Sequence, residues 1–289
     1  MTGRLKKGIA ATAAVMAAST AIFLGNTGGA AAAAPSLPAF GLIGDGTTMC
    51  AFQTNAPGTL NWVRDVMGFV GGETRLIGLD FRVQNGLLYA VGDKGFIYTI
   101  TVDPNASWVS LTKVSQLTVP LYGTSFGVDF NPAADRLRVI SDNGQNLRHN
   151  LNDHTTIEDL SLNLNAAPAK GVTGAAYTNN DLNADTATTL FDVDTVNDQV
   201  EIQAPPNNGS LNPTGKLTVD VSLNAGFDIF SDLSSGKTVS NTAFGAFVPT
   251  GGTRASFYMV DVLTGAATKV GDFPSIAPVN EVAVALDTN

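Results

Sequence analysis

The chain has 289 residues, 16 lysines and arginines against 25 aspartates and glutamates, and a formal net charge of −9. Binding to nucleic acid requires clustered positive charge that neutralises phosphates, so this composition argues against a nucleic-acid partner and against an anionic membrane surface. The lone cysteine, Cys50, excludes an internal disulfide, and the stability of the fold must therefore come from its core.

The N-terminus has the layout of a secretory signal peptide. Residues 1–7 carry three basic side chains, residues 8–24 are apolar, and small residues follow up to Ala33. Because the apolar run is shorter than a usual membrane span, the sequence predicts cleavage after residue 33 and no membrane anchor in the mature protein. We expect a secreted protein, extracellular or in the cell envelope, with a short leader at 34–38 and a single domain at 39–289.

The mature region has the pattern of an all-β chain. Short apolar runs rich in β-branched and aromatic residues are separated by Gly, Asn, Asp and Pro, which indicates strands joined by turns. A four-residue pattern recurs every 47 to 55 residues, and repeats of about this length are typical of β-propellers. Its copies are Gly78-Leu79-Asp80-Phe81, Gly127-Val128-Asp129-Phe130, Gly174-Ala175-Ala176-Tyr177, Gly226-Phe227-Asp228-Ile229 and Glu281-Val282-Ala283-Val284.

The two ends of the chain complement each other. The last copy of the repeat has no hairpin after it, whereas the hairpin at 39–52 has no such strand before it. We therefore expect the N- and C-terminal segments to pair and to close a ring of five four-stranded blades, which removes exposed sheet edges. A six-bladed ring, formed by splitting one of the longer units, and a β-sandwich are the alternatives. The expected blades are 279–289 with 39–70, then 75–118, 124–165, 172–222 and 224–272.

Asp80, Asp129 and Asp228 occupy the same position in three copies of the repeat. The favoured interpretation is structural: each carboxylate accepts hydrogen bonds from neighbouring backbone N–H groups and joins one blade to the next. The alternative is a cation site or an acid/base pair near the propeller axis. Repetition favours the structural role, since a catalytic acid is needed only once.

A second acidic segment places Asp181, Asn183 and Asp185 at alternate positions, as calcium loops do. The segment lacks the following Gly and the bidentate Glu of an EF-hand, so a polar surface loop is the favoured interpretation. The sequence requires no cofactor, and calcium is the one candidate that its acidic segments suggest. His149 and His154 are expected to point to opposite faces, and no further Cys or His is at hand as a ligand, which argues against a zinc site. The sequence has no Gly-x-Ser-x-Gly elbow, which argues against a Ser-His-Asp hydrolase.

The hairpin at 141–150 is the most polar of the chain. Its Asp142 turn, like the turns at Asp45 and Asp93, is expected to lie on the face that carries the connections between blades. Ordinary surface hairpins are the alternative to a binding surface here. The predicted ligand-binding side chains are Asp142, Asn143, Gln145, Asn146 and Arg148.

The stretch Gly127–Arg148 resembles a family of secreted bacterial proteins known as domain of unknown function 4394. Pro205–Leu211 and Leu263–Gly271 are similar to later motifs of that family, and the resemblance runs from Phe40 to Leu286. It implies a propeller-like all-β domain in exported bacterial proteins, and it brings no established activity, substrate or catalytic residue.

Taken together, these observations favour a secreted, monomeric binding module over an enzyme. Its partner would be a carbohydrate, a small ligand or a protein, held on the turn-bearing face of a rigid ring. An extracellular hydrolase or lyase that uses the inner-strand aspartates or a bound calcium is the alternative, and a passive envelope protein is the third candidate.

Overall fold

The computed structural model describes residues 33–288, so the predicted signal peptide lies outside the described residues apart from Ala33. This part of the chain is all-β, with a single turn of 3-10 helix at Pro206–Asn208. Within the same residues, no helix is both long and apolar enough to cross a membrane.

The strands are β1 (Pro38–Ile43), β2 (Thr48–Gln53), β3 (Leu60–Met67), β4 (Leu76–Arg82), β5 (Leu87–Gly92), β6 (Phe96–Thr101), β7 (Trp108–Gln116), β8 (Phe126–Asn131), β9 (Arg136–Ser141), β10 (Asn146–Asn150), β11 (Thr155–Glu158), β12 (Asn163–Leu164), β13 (Ala167–Pro168), β14 (Val172–Tyr177), β15 (Leu190–Asp194), β16 (Gln199–Gln203), β17 (Ser210–Lys216), β18 (Val221–Ser234), β19 (Lys237–Pro249), β20 (Ser256–Val260), β21 (Ala267–Asp272) and β22 (Val279–Val284).

These strands form four hydrogen-bonded sheets. An eight-stranded sheet has the order β22-β1-β2-β3-β7-β6-β5-β4, and a six-stranded sheet has the order β13-β12-β17-β16-β15-β14. The other two sheets, β8 to β11 and β18 to β21, have four strands each in chain order. Pairing is antiparallel throughout the described strands except between β3 and β7 and between β12 and β17.

The two ends of the described chain meet in one sheet, as the sequence predicts. β1 pairs antiparallel with β22, from Ala39 opposite Val284 to Ile43 opposite Val279. This pairing gives the N-terminal hairpin the inner strand that it lacks in sequence, and it places the last copy of the repeat beside the first strand of the domain.

Five strands carry the copies of the repeat, and we call them the inner strands: β4, β8, β14, β18 and β22. They pack against one another in that order and return from β22 to β4, which gives the molecule a propeller-like arrangement. Within the described residues, four apolar clusters fill the spaces between neighbouring sheets, and a fifth lies between the two halves of the eight-stranded sheet.

The glycine at the first position of the repeat allows this close packing. A Cβ atom on Gly226 would lie 2.5 Å from the Cα atom of Glu281, and one on Gly127 would lie 2.8 Å from the backbone nitrogen of Ala175. Both obstacles are backbone atoms of the next inner strand, which cannot rotate away as a side chain can. These positions therefore require glycine if the inner strands are to remain in contact.

Candidate metal centre

Three aspartates from different sheets converge where the inner strands meet. Asp80 lies on β4, Asp129 on β8 and Asp228 on β18, and their exposed fractions are 5%, 2% and 4%. One carboxylate oxygen from each residue lies within 4.8 Å of one from each of the other two. The repeat thus brings residues that are far apart in sequence to one buried point near the axis.

Each of these carboxylates accepts a hydrogen bond from the next inner strand of the ring. The N–H of Phe130 donates to Asp80 Oδ2 at 2.7 Å, and the N–H of Tyr177 donates to Asp129 Oδ1 at 3.2 Å. The N–H of Val284 donates to Asp228 Oδ2 at 2.6 Å. All three donors stand at the fourth position of the repeat, so the bonds link neighbouring strands in the same way.

Two inner strands, β4 and β18, follow a copy of the repeat that has no aspartate. Because Ala283 precedes β4 in the ring and Ala176 precedes β18, neither can accept a hydrogen bond from the following strand. The N–H groups of Phe81 and Ile229 instead donate to Oδ1 of the aspartate in their own strand, each at 2.6 Å. Three carboxylates therefore satisfy the fourth-position N–H of all five inner strands.

Glu281 is a fourth buried carboxyl group, close enough to the aspartates for their charges to act on it, and it is not among the residues predicted from the sequence. It occupies the first position of the repeat on β22, where the other four copies have glycine, and it is 6% exposed. Burial raises its pKa well above the usual range, and the charges of Asp228 and Asp80 raise it further. The departure from glycine was the signal that could have identified it. We call Asp80, Asp129, Asp228 and Glu281 the axial cluster.

Burial and like charge act together on the axial cluster. Burial raises the pKa of Asp228 to about 6. The pKa of Asp80 is raised well above its usual value by burial and then by the charge of Asp228, and that of Asp129 by burial and then by Asp80, Asp228 and Glu281. Each carboxyl group would therefore gain from a neighbouring positive charge.

A small cavity of about 40 Å³ leads from the surface to Glu281. Thr173 also lines it; its side chain is 1% exposed, and its hydroxyl has no hydrogen-bond partner within residues 33–288. Ser125 and Asn224 line the cavity as well, and the Ser125 hydroxyl donates to Asn224 Oδ1 at 2.7 Å, which joins the residue before β8 to β18 across the ring. This space admits an ion with a few waters and is too small for a sugar ring.

The cavity opens on the face that carries the turns between second and third strands, which we call the turn face. Asp142 in the β9–β10 turn accepts hydrogen bonds from the Thr124 N–H at 2.7 Å and from its hydroxyl at 2.8 Å. Asp93 in the β5–β6 turn holds Thr74 in the same way. Since Thr74 and Thr124 belong to the segments that lead into inner strands, these turns lie beside the connections between sheets.

Most of the side chains predicted to bind a ligand near this turn have internal partners. Gln145 is 1% exposed and bonds to the backbone of Tyr122 and Pro120, and Asn146 is fully buried. Arg148 forms an ion pair with Asp159 at 2.7 Å. Asn143 is the member of this set that lies exposed.

The sequence matches the family described as Domain of unknown function (DUF4394) over residues 48–283, which is most of the chain. The chain belongs to this family. All four residues of the axial cluster lie inside the DUF4394 region. No curated protein matches the chain significantly.

Several solved structures are similar to this DUF4394 protein in fold. A structural genomics protein of unknown function from Bacteroides thetaiotaomicron has 18% identity and a TM-score of 0.45, over 85% of this chain and 60% of its own. A Lactobacillus plantarum protein has 14% identity and a TM-score of 0.40, over 86% and 99%. Kuenenia stuttgartiensis hydrazine synthase has 12% identity and a TM-score of 0.38, over 69% of this chain and 51% of its own. At these TM-scores, none of the similarities assigns an activity to the chain.

The loop at 181–185 of the DUF4394 region uses its oxygens internally. Asp181 Oδ1 accepts the N–H of Asn183, and Asn183 Oδ1 accepts the N–H of Asp185, each at 2.9 Å. Asp181 Oδ2 accepts both the N–H and the hydroxyl of Thr238 on β19. The alternating pattern therefore makes two successive side-chain turns and one link to the neighbouring sheet.

The expectation that the two histidines point to opposite faces is wrong. The Ser115 hydroxyl lies 2.8 Å from both His149 Nε2 and His154 Nδ1. His154 has a positive φ of 58°, which turns the chain after β10 back on itself and brings both imidazoles to one hydroxyl. The partner of His149 Nδ1 is the Thr156 hydroxyl at 2.9 Å, not a carboxylate, so the set lacks the acid of a catalytic triad.

Proposed function

We propose that this protein is an exported five-bladed β-propeller that binds one divalent cation of the calcium class at its axis and acts as a binding module, with the turn face as its outer surface. The convergence of carboxylate oxygens from Asp80, Asp129 and Asp228 within 4.8 Å of one another is the observation that carries the proposal. The predicted signal peptide supports export.

The division into five blades rests on the strand order. The eight-stranded sheet divides naturally at the parallel β3–β7 pair, which joins only three residues of each strand. The six-stranded sheet divides into β14 to β17 and the short β12–β13 ribbon. With these divisions, each copy of the repeat begins a meander of four strands.

The spacing and chemistry of the axial cluster favour calcium. Calcium takes six to eight oxygens at about 2.3–2.6 Å, so ligands on opposite sides of the ion lie roughly 5 Å apart, close to the spread of the three aspartates. Magnesium requires a tighter octahedron, and transition metals prefer nitrogen or sulfur ligands, which the axial cluster lacks. A carboxylate oxygen that accepts one N–H still has a lone pair for a cation.

Electrostatics point the same way. Burial raises the pKa of all four carboxyl groups, and neighbouring negative charges raise that of Asp80, Asp129 and Glu281 further. Bound calcium would stabilise the ionised forms. Glu281 and the unpartnered hydroxyl of Thr173 line the cavity through which an ion would enter. Extracellular calcium modules bind at about 10⁻⁴–10⁻³ M, a range suited to an exported protein.

The hydrolase or lyase alternative has less support. The axial aspartates are at most 5% exposed and do not line the cavity of about 40 Å³ that reaches Glu281. A general acid or base must lie within hydrogen-bond reach of its substrate, which this access does not provide for a sugar or a peptide.

Thermal unfolding with calcium, with magnesium and with EDTA tests the proposal. Asp129→Asn is the best variant, because Asp129 accepts one inner-strand N–H, whereas Asp80 and Asp228 each accept two. We expect calcium at 100 times its Kd to stabilise the wild type by about 2.7 kcal/mol, and to have little effect on Asp129→Asn.

The matched control is Asp93→Asn, which removes a carboxylate of the turn face. This variant should keep the calcium response of the wild type. A wild-type protein that binds no calcium in isothermal titration, and whose melting temperature calcium leaves unchanged, would rule out the axial site.

A further inference from the structure

A second group of buried oxygens lies between two sheets, away from the axis. Asp192 and Glu201 are fully buried, and Gln203 is 1% exposed. Both carboxylate oxygens of Asp192, Oε2 of Glu201 and Oε1 of Gln203 have no hydrogen-bond partner within the described residues. Buried polar atoms without a partner are rare in native proteins, and they require a ligand or water to satisfy them.

Strand pairing places these three side chains on one face. Asp192 on β15 stands directly opposite Glu201 on β16, and Gln203 lies two residues further along β16. The alternating residues Phe191, Val193 and Val200 point the other way, into the apolar cluster with β18 and β19. The Nε2 group of Gln203 donates to Asn146 of β10 at 3.3 Å, so this face is directed toward the sheet of β8 to β11.

The positive charges of that interface are already paired. Arg138 of β9 is 2% exposed, and its Nη1 lies 2.8 Å from Asp159 Oδ2. Arg148 pairs with the same carboxylate at 2.7 Å. The remaining donors of Arg138 go to Asn146, Asn207 and Tyr177. Within residues 33–288, neither Asp192 nor Glu201 takes part in an ion pair.

We propose that Asp192, Glu201 and Gln203 hold one calcium-class cation between these two sheets. Two carboxylates and an amide oxygen form a ligand set for a hard cation, and its charge would offset the two buried negative charges. The hydrogen bond from Gln203 to Asn146 ties the site to the opposite sheet, so the ion would strengthen that interface. The site shares no residue with the axial cluster and does not depend on the proposed function.

Calcium content measured by elemental mass spectrometry tests this site. The protein is prepared in calcium and then passed through metal-free buffer before measurement. We expect the wild type to retain one more calcium ion per chain than the Asp192→Asn/Glu201→Gln double variant. Asp185→Asn, which removes an exposed carboxylate nearby in sequence, is the control and should retain the wild-type content.

The axial variant Asp129→Asn separates the two sites, because it should lose a different ion and leave this one in place. If the double variant does not fold, Glu201→Gln alone supplies the same comparison. Equal calcium in the wild type and the folded variant would overturn the proposal. Infrared spectroscopy gives a second test. If the calcium-loaded wild type showed the band of a protonated carboxylic acid at neutral pH, and Asp192→Asn lacked that band, the proposal would also fail. A proton, and not a cation, would then neutralise the carboxyl pair.

Discussion

Aspartates recur in two regions of this molecule and make similar hydrogen bonds in very different surroundings. On the turn face, Asp93 accepts the N–H of Thr74 at 2.9 Å, and at the axis Asp228 accepts the N–H of Val284 at 2.6 Å. Burial tends to raise the pKa of Asp93, but hydrogen bonds from Thr74 and the nearby Lys94 outweigh it and lower the pKa. Burial raises the pKa of Asp228 to about 6.

The difference shows that a hydrogen bond alone does not set the stability of a carboxylate. The partly exposed aspartate of the turn face is stabilised as an ion by its donors and by water. The axial aspartates have comparable donors, yet they pay for lost hydration and lie near one another. Aspartates therefore accept stabilising hydrogen bonds both on the turn face and at the axis. Of these two regions, the axis is the one where negative charges repel one another and where a cation would reduce that repulsion.

The largest expected effect is the response of stability to pH in the presence of EDTA. The folded-state pKa of Asp228 lies above its usual value of 3.8, so the folded protein holds more protons between these values, and its free energy of unfolding falls as pH rises. This contribution is fully present below pH 4 and is lost as pH rises through about 6. For Asp228, the rise of the pKa from 3.8 to about 6 corresponds to roughly 3 kcal/mol, and the other axial groups act in the same direction.

Urea unfolding between pH 4.5 and 8 measures this effect. Asp228→Asn should flatten the dependence, because it removes one titrating group and lowers the pKa of its neighbours. Calcium should suppress the loss at high pH, since it binds the ionised carboxylates. Parallel curves for the wild type and Asp228→Asn would show that Asp228 does not titrate with a raised pKa in the folded protein, and that the axis does not differ from the turn face in this respect. The lowered pKa of Asp93 predicts the reverse sign: its contribution is lost only as pH falls below 4.

A smaller effect is expected from removing the acceptors themselves. In EDTA at pH 5, Asp228 is mostly protonated, so Asp228→Ala chiefly leaves the N–H groups of Ile229 and Val284 without their acceptor. Orphaned buried donors cost about 1–3 kcal/mol each, so we expect the two together to cost at least about 2 kcal/mol. Alanine already occupies this position of the repeat at 176 and 283, so the substitution introduces no steric conflict.

Asp93→Ala is the matched change on the turn face, where water can replace the lost acceptor. Its expected cost is below about 1 kcal/mol. The measurement is the urea midpoint of each variant, compared at an unchanged slope. Similar losses for the two variants would show that a buried acceptor at the axis contributes no more to stability than an exposed one on the turn face.

The strands could be predicted from the sequence because the repeat and its turns are local signals. The all-β class and the pairing of the chain ends were predicted from this repeat. Asp80, Asp129 and Asp228 mark equivalent strands, and recognising them requires no knowledge of packing. Glu281 was not predicted, because its one signal in the sequence is that it replaces the first glycine in the last, degenerate copy of the repeat. The histidines were placed wrongly because alternation along a strand does not extend through the turn that follows β10.

Two further features depend on contacts that a pattern does not encode. Gln145 and Asn146 were predicted to bind a ligand because they are polar and lie in a hairpin. Both are buried and donate hydrogen bonds to backbone groups of other segments. Asp192 and Glu201 are separated by eight residues and become neighbours only when β15 pairs with β16. The pairing of Asp192 with Glu201 follows from strand register, which no sequence pattern specifies.

The smallest expected effect concerns the threonines that the turn aspartates hold. Thr74→Val and Thr124→Val keep the backbone N–H donor and remove the hydroxyl that donates to Asp93 or Asp142. Because both hydroxyls can reach water, we expect each change to cost about 0.5–1 kcal/mol, with no effect on calcium binding. Urea unfolding and calcium titration of the two variants supply both readouts. A variant that lost calcium binding would show that the turn face and the axis are coupled and act as one site.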